Sequence, residues 1–246
     1  MKRPLCCLIP AYNEEKRIAQ VVRGVREHIP DVIVVDDGSH DATASHAEKS
    51  GAVVIRHDAN KGKGMALRTG FSHVLSRDYA AVLTIDGDGQ HAPEEIAKFL
   101  SAFRAGAGDI IIGARLWDKA AIPRYRYIPN QIGIFCISKA AGCRIDDTQS
   151  GFRLYRREVL EAIPLTTTGF ETETEALIRA GKAGFRISSL PVPAIYHSDY
   201  KTNFRPVRDF YRISILFLKL TIFGTSIDIH GEFGTSKKPA EGKKKQ

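Results

Sequence analysis

The sequence predicts a single α/β domain built on a mostly parallel central sheet. Short runs that are apolar on both faces, at residues 5–10, 32–35, 53–55, 80–85 and 110–112, alternate with longer stretches of helical periodicity, the pattern of strands covered on both sides. Polar clusters follow these runs: Tyr12-Asn13-Glu14, Asp36-Asp37-Gly38-Ser39, Asp58, Asp86 with Asp88, and Arg115. They fall on the carboxyl edge, where open α/β sheets bind ligands. A length of 246 residues with 43% hydrophobic composition supplies one sizeable core.

Taken in order, the first apolar run leads to Asn13-Glu14-Glu15, which reads as an N-cap with acids in the first helical turn. Ile18, Val21, Val22, Val25 and Ile29 then give that helix one buried face. Residues 41–50 read as a short helix stopped by Gly51, and a third helix buries Leu67, Phe71, Val74 and Leu75. Pro93 opens a fourth, with Ile96, Phe99, Leu100 and Phe103 on one side. Residues 128–141 are apolar with few charges, and Phe170-Glu171-Thr172-Glu173 opens a helix running through Ile178, with Glu171 and Glu175 one turn apart.

From Pro206 the chain reads as an amphipathic helix. Arg208, Arg212 and Lys219 fall with Arg205 within about 60° of one another at 3.6 residues per turn. Its apolar stretch, residues 213–223, is too short to span a bilayer, which needs ~20 apolar residues, and suits an interfacial position with basic side chains at anionic headgroups. A core or dimer helix is the alternative. The formal charge is +8, and five lysines against Glu241 after Thr235 supply +4 of it, so the tail reads as disordered. The expected organisation is a domain over residues 1–205, the helix over 206–224 and the tail over 225–246.

Composition and motif spacing narrow the function. The basic residues gather at the tail and one helix while the sheet edge is acidic, which argues against nucleic acid as a partner. Cys6, Cys7, Cys136 and Cys143 fit no disulfide framework and no zinc spacing, and no signal peptide is read at the start. The expected compartment is the cytoplasm. The first strand-to-helix turn lacks a dinucleotide fingerprint, and Gly62-Lys63-Gly64 lacks its third glycine.

The chemistry centres on Asp86-Gly87-Asp88-Gly89-Gln90-His91, at the end of a buried strand. Two carboxylates with the Gln90 amide oxygen make an all-oxygen set for a hard cation such as Mg²⁺ or Mn²⁺, which commonly shares its shell with substrate phosphates. An EF-hand calcium loop is excluded, because Gln90 and His91 occupy its fifth and sixth positions. An acidic rim with a few cations suits a metal-bound nucleotide.

Five motifs in order carry a resemblance: Ile9-Pro10-Ala11-Tyr12-Asn13-Glu14-Glu15, Val34-Val35-Asp36-Asp37-Gly38-Ser39, Asn60-Lys61-Gly62-Lys63-Gly64, Asp86-Gly87-Asp88-Gly89-Gln90-His91 and Asp147-Thr148-Gln149-Ser150-Gly151-Phe152-Arg153. Together the chain resembles the family 2 glycosyltransferases of GT-A fold, and the fifth motif resembles the branch of dolichyl-phosphate mannose and glucose synthases. The resemblance implies an enzyme that moves a hexose from a nucleoside diphosphate sugar, GDP- or UDP-linked, to a polyprenyl phosphate, working at the cytoplasmic face of a membrane.

Residue by residue, the resemblance implies that Pro10, Ala11, Tyr12 and Glu14 line the base pocket, with Asp36 and Asp37 near base and ribose and Lys63 beside the donor. Asp86, Asp88 and Gln90 match metal positions, and Arg115 a phosphate-binding arginine. Arg126, Asn130, Lys201 and Arg205 match contacts to the acceptor phosphate. The resemblance implies that residues 128–141 help form the acceptor side, with a buried core helix the alternative reading. A phosphate acceptor, with a second pKa of ~6, is already ionised near neutrality and needs cations to position it rather than a base. Relatives that glycosylate a hydroxyl carry an acid near Glu173, so a saccharide or glycolipid hydroxyl is the alternative acceptor. His197 reads as a loop histidine, with metal contact the other option.

Overall fold

The computed structural model describes residues 4–115, 124–193, 195 and 213–217, and for residues 124–130 the backbone alone. Seven strands form one sheet: β1 Leu5–Ala11, β2 Val32–Asp36, β3 Val53–Arg56, β4 Ala81–Thr84, β5 Ile110–Arg115, β6 Arg153–Arg156 and β7 Ile187–Val192. Their spatial order is β3-β2-β1-β4-β6-β5-β7. β6 runs antiparallel to both of its neighbours, and every other pairing is parallel.

Strand alternation explains why the runs are apolar throughout. Cys6 and Leu8 of β1, with Ile33 and Val35 of β2, face one core with Leu67, Phe71, Val74 and Leu177. Cys7 and Ile9, with Val32 and Val34, face the other with Ile18, Val22, Ile96 and Phe99. Successive side chains point to opposite faces, so a strand covered on both sides needs apolar residues at every position. The edge strand β3 departs from this, with Val53 57% exposed.

The helices are α1 Ile18–Arg26, α2 Thr43–Lys49, α3 Lys63–Leu75, α4 Ile96–Arg104, α5 Arg124–Ala141, α6 Arg157–Ala162 and α7 Glu171–Lys182; α6 was not legible in the sequence, and Pro93 opens a 3-10 turn at Pro93–Glu95 ahead of α4 rather than the helix itself. The N-cap expected at Asn13 is corrected. α1 starts at Ile18 after a turn closed by Ile18 N donating to Glu14 O (2.9 Å). Asn13 adopts a left-handed φ of 56°, which asparagine tolerates better than most residues. β6 and β7 were not legible as strands.

Two features of the topology position the site. The sheet order reverses at β1, which lies between β2 and β4, and that reversal opens a crevice beyond the carboxyl ends of the strands. β6 enters the sheet opposite β4, with Arg153 paired to Thr84. An antiparallel strand begins where its parallel neighbours end, so the loop before β6 is delivered to the same edge as Asp86.

Residues 213–217 form a helical turn in which Leu216 is buried against the first core and Phe217 packs beside it. The rest of the helix expected over 206–224 lies outside the described residues. Among the described residues no helix is long and apolar enough to cross a membrane.

In the second core Phe99 is fully buried, with its ring 4.3 Å from that of Phe152. Phe99→Ala is expected to destabilise the fold by about 3–5 kcal/mol, read from the urea midpoint at unchanged m-value.

Candidate functional site

The turn after β1 is stitched to the turn after β2. Asp37 N donates to Ala11 O (2.9 Å), Asn13 N to Ser39 Oγ (2.9 Å) and Glu14 N to Thr43 Oγ1 (2.8 Å). In return His40 N donates to Asn13 Oδ1 (3.0 Å) and Ala42 N to Glu15 Oε2 (3.2 Å). Pro10 and Ala11 are buried in the strand, and Tyr12 and Glu14 are half-buried at its mouth.

Asp36 and Asp37 are both buried and both have internal partners. Asp36 Oδ1 accepts from Ser39 N (3.0 Å) and from the Ser39 hydroxyl, and Arg56 Nε lies 3.2 Å from Oδ2. Asp37 accepts from Lys61 N (2.9 Å) and Gly62 N (2.8 Å), and its Oδ1 lies 2.7 Å from His57 Nδ1. His57 in turn reaches Thr69 Oγ1 at 3.0 Å. A carboxylate placed on two successive amides fixes the turn that leads into α3, and that turn carries Lys63.

Lys63 is where the motifs meet. Its side chain is 16% exposed, and its Nζ lies 2.8 Å from Asp86 Oδ1 and 3.1 Å from Glu173 Oε2. The Phe170 ring centroid is 5.8 Å away. Burial alone would lower the Lys63 pKa, but the two carboxylates outweigh it and hold the ammonium charged. Burial likewise works to raise Asp86, and Lys63 chiefly reverses this, so Asp86 stays below the ordinary carboxylate range. Asp88, 8% exposed, accepts from Gln90 N at 3.0 Å. His91 is buried against Phe152, and burial pushes it down to about 4, so it packs there as a neutral ring.

The loop before β6 closes over Asp86. Thr84 Oγ1 donates to Gly151 O (2.9 Å), and a Cβ at Gly151 would fall on the Asp86 carboxylate. Asp147 receives Arg115 in bidentate fashion, Nε to Oδ2 at 2.8 Å and Nη2 to Oδ1 at 3.1 Å. Arg153, in the fifth motif, is fully buried. It donates to Ser150 O (2.7 Å), Thr148 O (2.9 Å), Tyr155 Oη (3.3 Å) and Glu173 O (2.7 Å). It therefore ties the loop to the first turn of α7. An arginine inside the apolar run Phe152-Arg153-Leu154-Tyr155 was the available signal.

Glu173 itself is 6% exposed, not a solvated helix-end acid. Glu175 is spent on the preceding loop, accepting from Thr166 N and Thr167 N, each at 2.9 Å, and pairing with Arg179 at 2.8 Å.

Other expected residues are not brought to this cluster by any described contact. Arg126 and Asn130 lie on α5 with only their backbone described, and His197, Lys201 and Arg205 lie outside the described residues. α5 carries an open groove of about 640 Å³, lined in part by Gln131, Ile134, Phe135, Ser138 and Cys143, with Phe135 65% exposed. Asp146, next in the chain to Asp147, also lines it.

The donor set fits a hard divalent cation in part of its shell. Among the described residues no three His, Cys, Asp or Glu side chains form a complete cage, so a cation on Asp86 and Asp88 would take further oxygens from Gln90, water or phosphate. The charge gathered there registers on Glu14. Burial first, then the Asp88 carboxylate, pushes its pKa up to about 7.

The profile of glycosyl transferase family 2 matches residues 6–163. A polyprenol monophosphomannose synthase of Mycolicibacterium smegmatis is 34% identical over 199 residues, covering 75% of this chain and 75% of that protein. A UDP-N-acetylglucosamine–dolichyl-phosphate N-acetylglucosaminyltransferase of Methanococcus voltae is 31% identical over 212 residues, 77% of this chain and 84% of that protein. The crystal structure of glucosyl-3-phosphoglycerate synthase from Mycobacterium tuberculosis matches with a TM-score of 0.70 at 20% identity, covering 88% of this chain and 79% of that one. The shared fold is GT-A. That synthase has also been crystallised with UDP and Mn²⁺ or Mg²⁺.

The Glu14 shift makes a signed prediction. Between its ordinary 4.5 and about 7 the folded protein holds a proton that the unfolded chain has lost, so this group lowers stability as pH rises through that window. Glu14→Gln is expected to flatten the fall in melting temperature there. An unchanged pH profile in the variant would assign the slope to other groups.

Proposed function

The chain belongs to glycosyl transferase family 2, and on that premise we propose an inverting, metal-dependent hexosyl transfer from a nucleoside diphosphate sugar to a polyprenyl phosphate. The observation that carries the choice of acceptor is the ion pair of Glu173. An acid positioned to deprotonate a hydroxyl would need an open carboxylate, whereas Glu173 has its carboxylate 3.1 Å from Lys63 and its peptide oxygen on Arg153. A phosphate acceptor needs no such base. The relatives named for polyprenyl and dolichyl phosphate support the same acceptor.

In this reading Tyr12, Glu14 and the backbone of Pro10 and Ala11 hold the base, while Asp36 and Asp37 act mainly by fixing the turns around it. Asp86, Asp88 and Gln90 hold Mg²⁺ or Mn²⁺. When bound, the cation neutralises charge developing on the leaving diphosphate as a Lewis acid. Lys63 contributes a second positive charge beside the donor. Arg115, oriented by Asp147, faces the phosphates.

Arg126, Asn130, Lys201 and Arg205 align the acceptor phosphate for in-line attack. One of its oxygens bonds to the anomeric carbon as the bond from that carbon to the diphosphate oxygen breaks, with inversion. The apolar groove along α5 supports an acceptor carrying a hydrocarbon chain, and the basic segment after Pro206 supports contact with an anionic membrane surface.

The test is transfer of labelled hexose from GDP- and UDP-sugars to a short polyprenyl phosphate, with Mn²⁺ or Mg²⁺. Asp88→Ala is expected to lower kcat by about 10²-fold or more while circular dichroism shows an intact fold. Near-full activity in Asp88→Ala would remove the metal reading, and transfer to a saccharide hydroxyl with none to the lipid phosphate would replace the acceptor.

A further inference from the structure

Lys63 stands between two carboxylates of different standing. Asp86 follows β4 in the motif assigned to the metal, whereas Glu173 lies in the first turn of α7. We propose that Lys63 is a resident counter-ion that a divalent cation displaces from Asp86, and that Glu173 is the positioning residue that receives it. The inference rests on Asp86 and Asp88 being the metal carboxylates.

The arrangement permits this exchange without movement of the backbone. The Lys61 and Gly62 amides are fixed on Asp37, and Met65 N donates to Thr168 O at 3.1 Å. Gly62, at φ 96°, and Gly64 press so closely on Thr168, Gly169 and Thr172 that a Cβ at either would collide with them. Asp86 is held in place too, since Gly151 lies directly on its carboxylate. Between these fixed points the lysine side chain is the flexible part.

Electrostatics gives the exchange its direction. Before a metal enters, the ammonium compensates the carboxylates of Asp86 and Glu173, at 2.8 and 3.1 Å. A dication on Asp86 would repel it at short range, and an ammonium left unpaired in a largely buried site is strongly disfavoured. Glu173 Oε2 removes that cost, because it already lies 3.1 Å from Nζ. Released from Asp86 but kept on Glu173, the ammonium stays beside the donor diphosphate.

The experiment is Mn²⁺ titration of the full chain without nucleotide, with free Mn²⁺ read by electron paramagnetic resonance. Lys63→Met removes the competitor and is expected to tighten Mn²⁺ binding about tenfold or more. Glu173→Gln leaves the ammonium resting on Asp86 alone and is expected to weaken it. Opposite signs mark competition, since simple loosening of the site would weaken both variants. If Lys63→Met does not fold, the double variant Lys63→Met with Glu173→Gln removes the pair together and takes its place, again with tightening expected. Binding no tighter than wild type on loss of Lys63, while Asp88→Asn still weakens Mn²⁺, overturns the exchange. Mn²⁺ affinity unchanged in Asp88→Asn overturns the metal site itself.

Discussion

The site is organised by one buried charge interaction, the Lys63 ammonium between Asp86 and Glu173. Each of its three groups comes from a different part of the fold: the first residue of α3, the loop after β4 and the first turn of α7. A charge removed from water is tolerated when it is paired and held in good geometry, and is costly when either partner is missing. The surrounding structure meets that condition. Asp37 fixes the turn that delivers Lys63, Gly151 backs Asp86, and Arg153 anchors the peptide of Glu173.

The antiparallel strand β6 makes this convergence possible. A purely parallel sheet delivers loops to its carboxyl edge only from strand ends. Reversing one strand brings a loop that precedes a strand to that edge, so Asp147 and Gly151 reach Arg115 and Asp86. The interior arginine of that strand spends its donors on peptide oxygens and one tyrosine hydroxyl. Buried polar groups satisfied in this way bind elements together, whereas unsatisfied ones would pull them apart.

The distribution of charge around the crevice also separates acid residues by role. Asp86 is kept ionised by its ammonium neighbour, Glu14 is pushed toward neutrality by burial and by the acids beside it, and Glu175 is held below the usual range, against burial, by the amides and hydroxyls of the loop it caps. Environments that push similar groups apart in this way are typical of sites that handle charged substrates.

The sequence by itself determined the α/β class, the parallel pairing of the first four strands and the carboxyl-edge position of Asp36, Asp37, Asp86, Asp88 and Arg115. Period and position encode these locally: strands covered on both faces must be apolar throughout, and polar residues after them mark one edge. The five motifs, read in order, also carried the family. Only the tertiary structure showed which internal partners these acids take. Asp36 and Asp37, which the resemblance places near base and ribose, accept hydrogen bonds from the turns beside them. Glu173, near which relatives acting on a hydroxyl carry an acid, is ion-paired to a lysine far away in the chain. Asn13 read as a cap and instead braces the neighbouring loop. These partners are non-local, and a hydrogen-bond or charge partner across the sheet edge leaves no periodicity in the chain that supplies it.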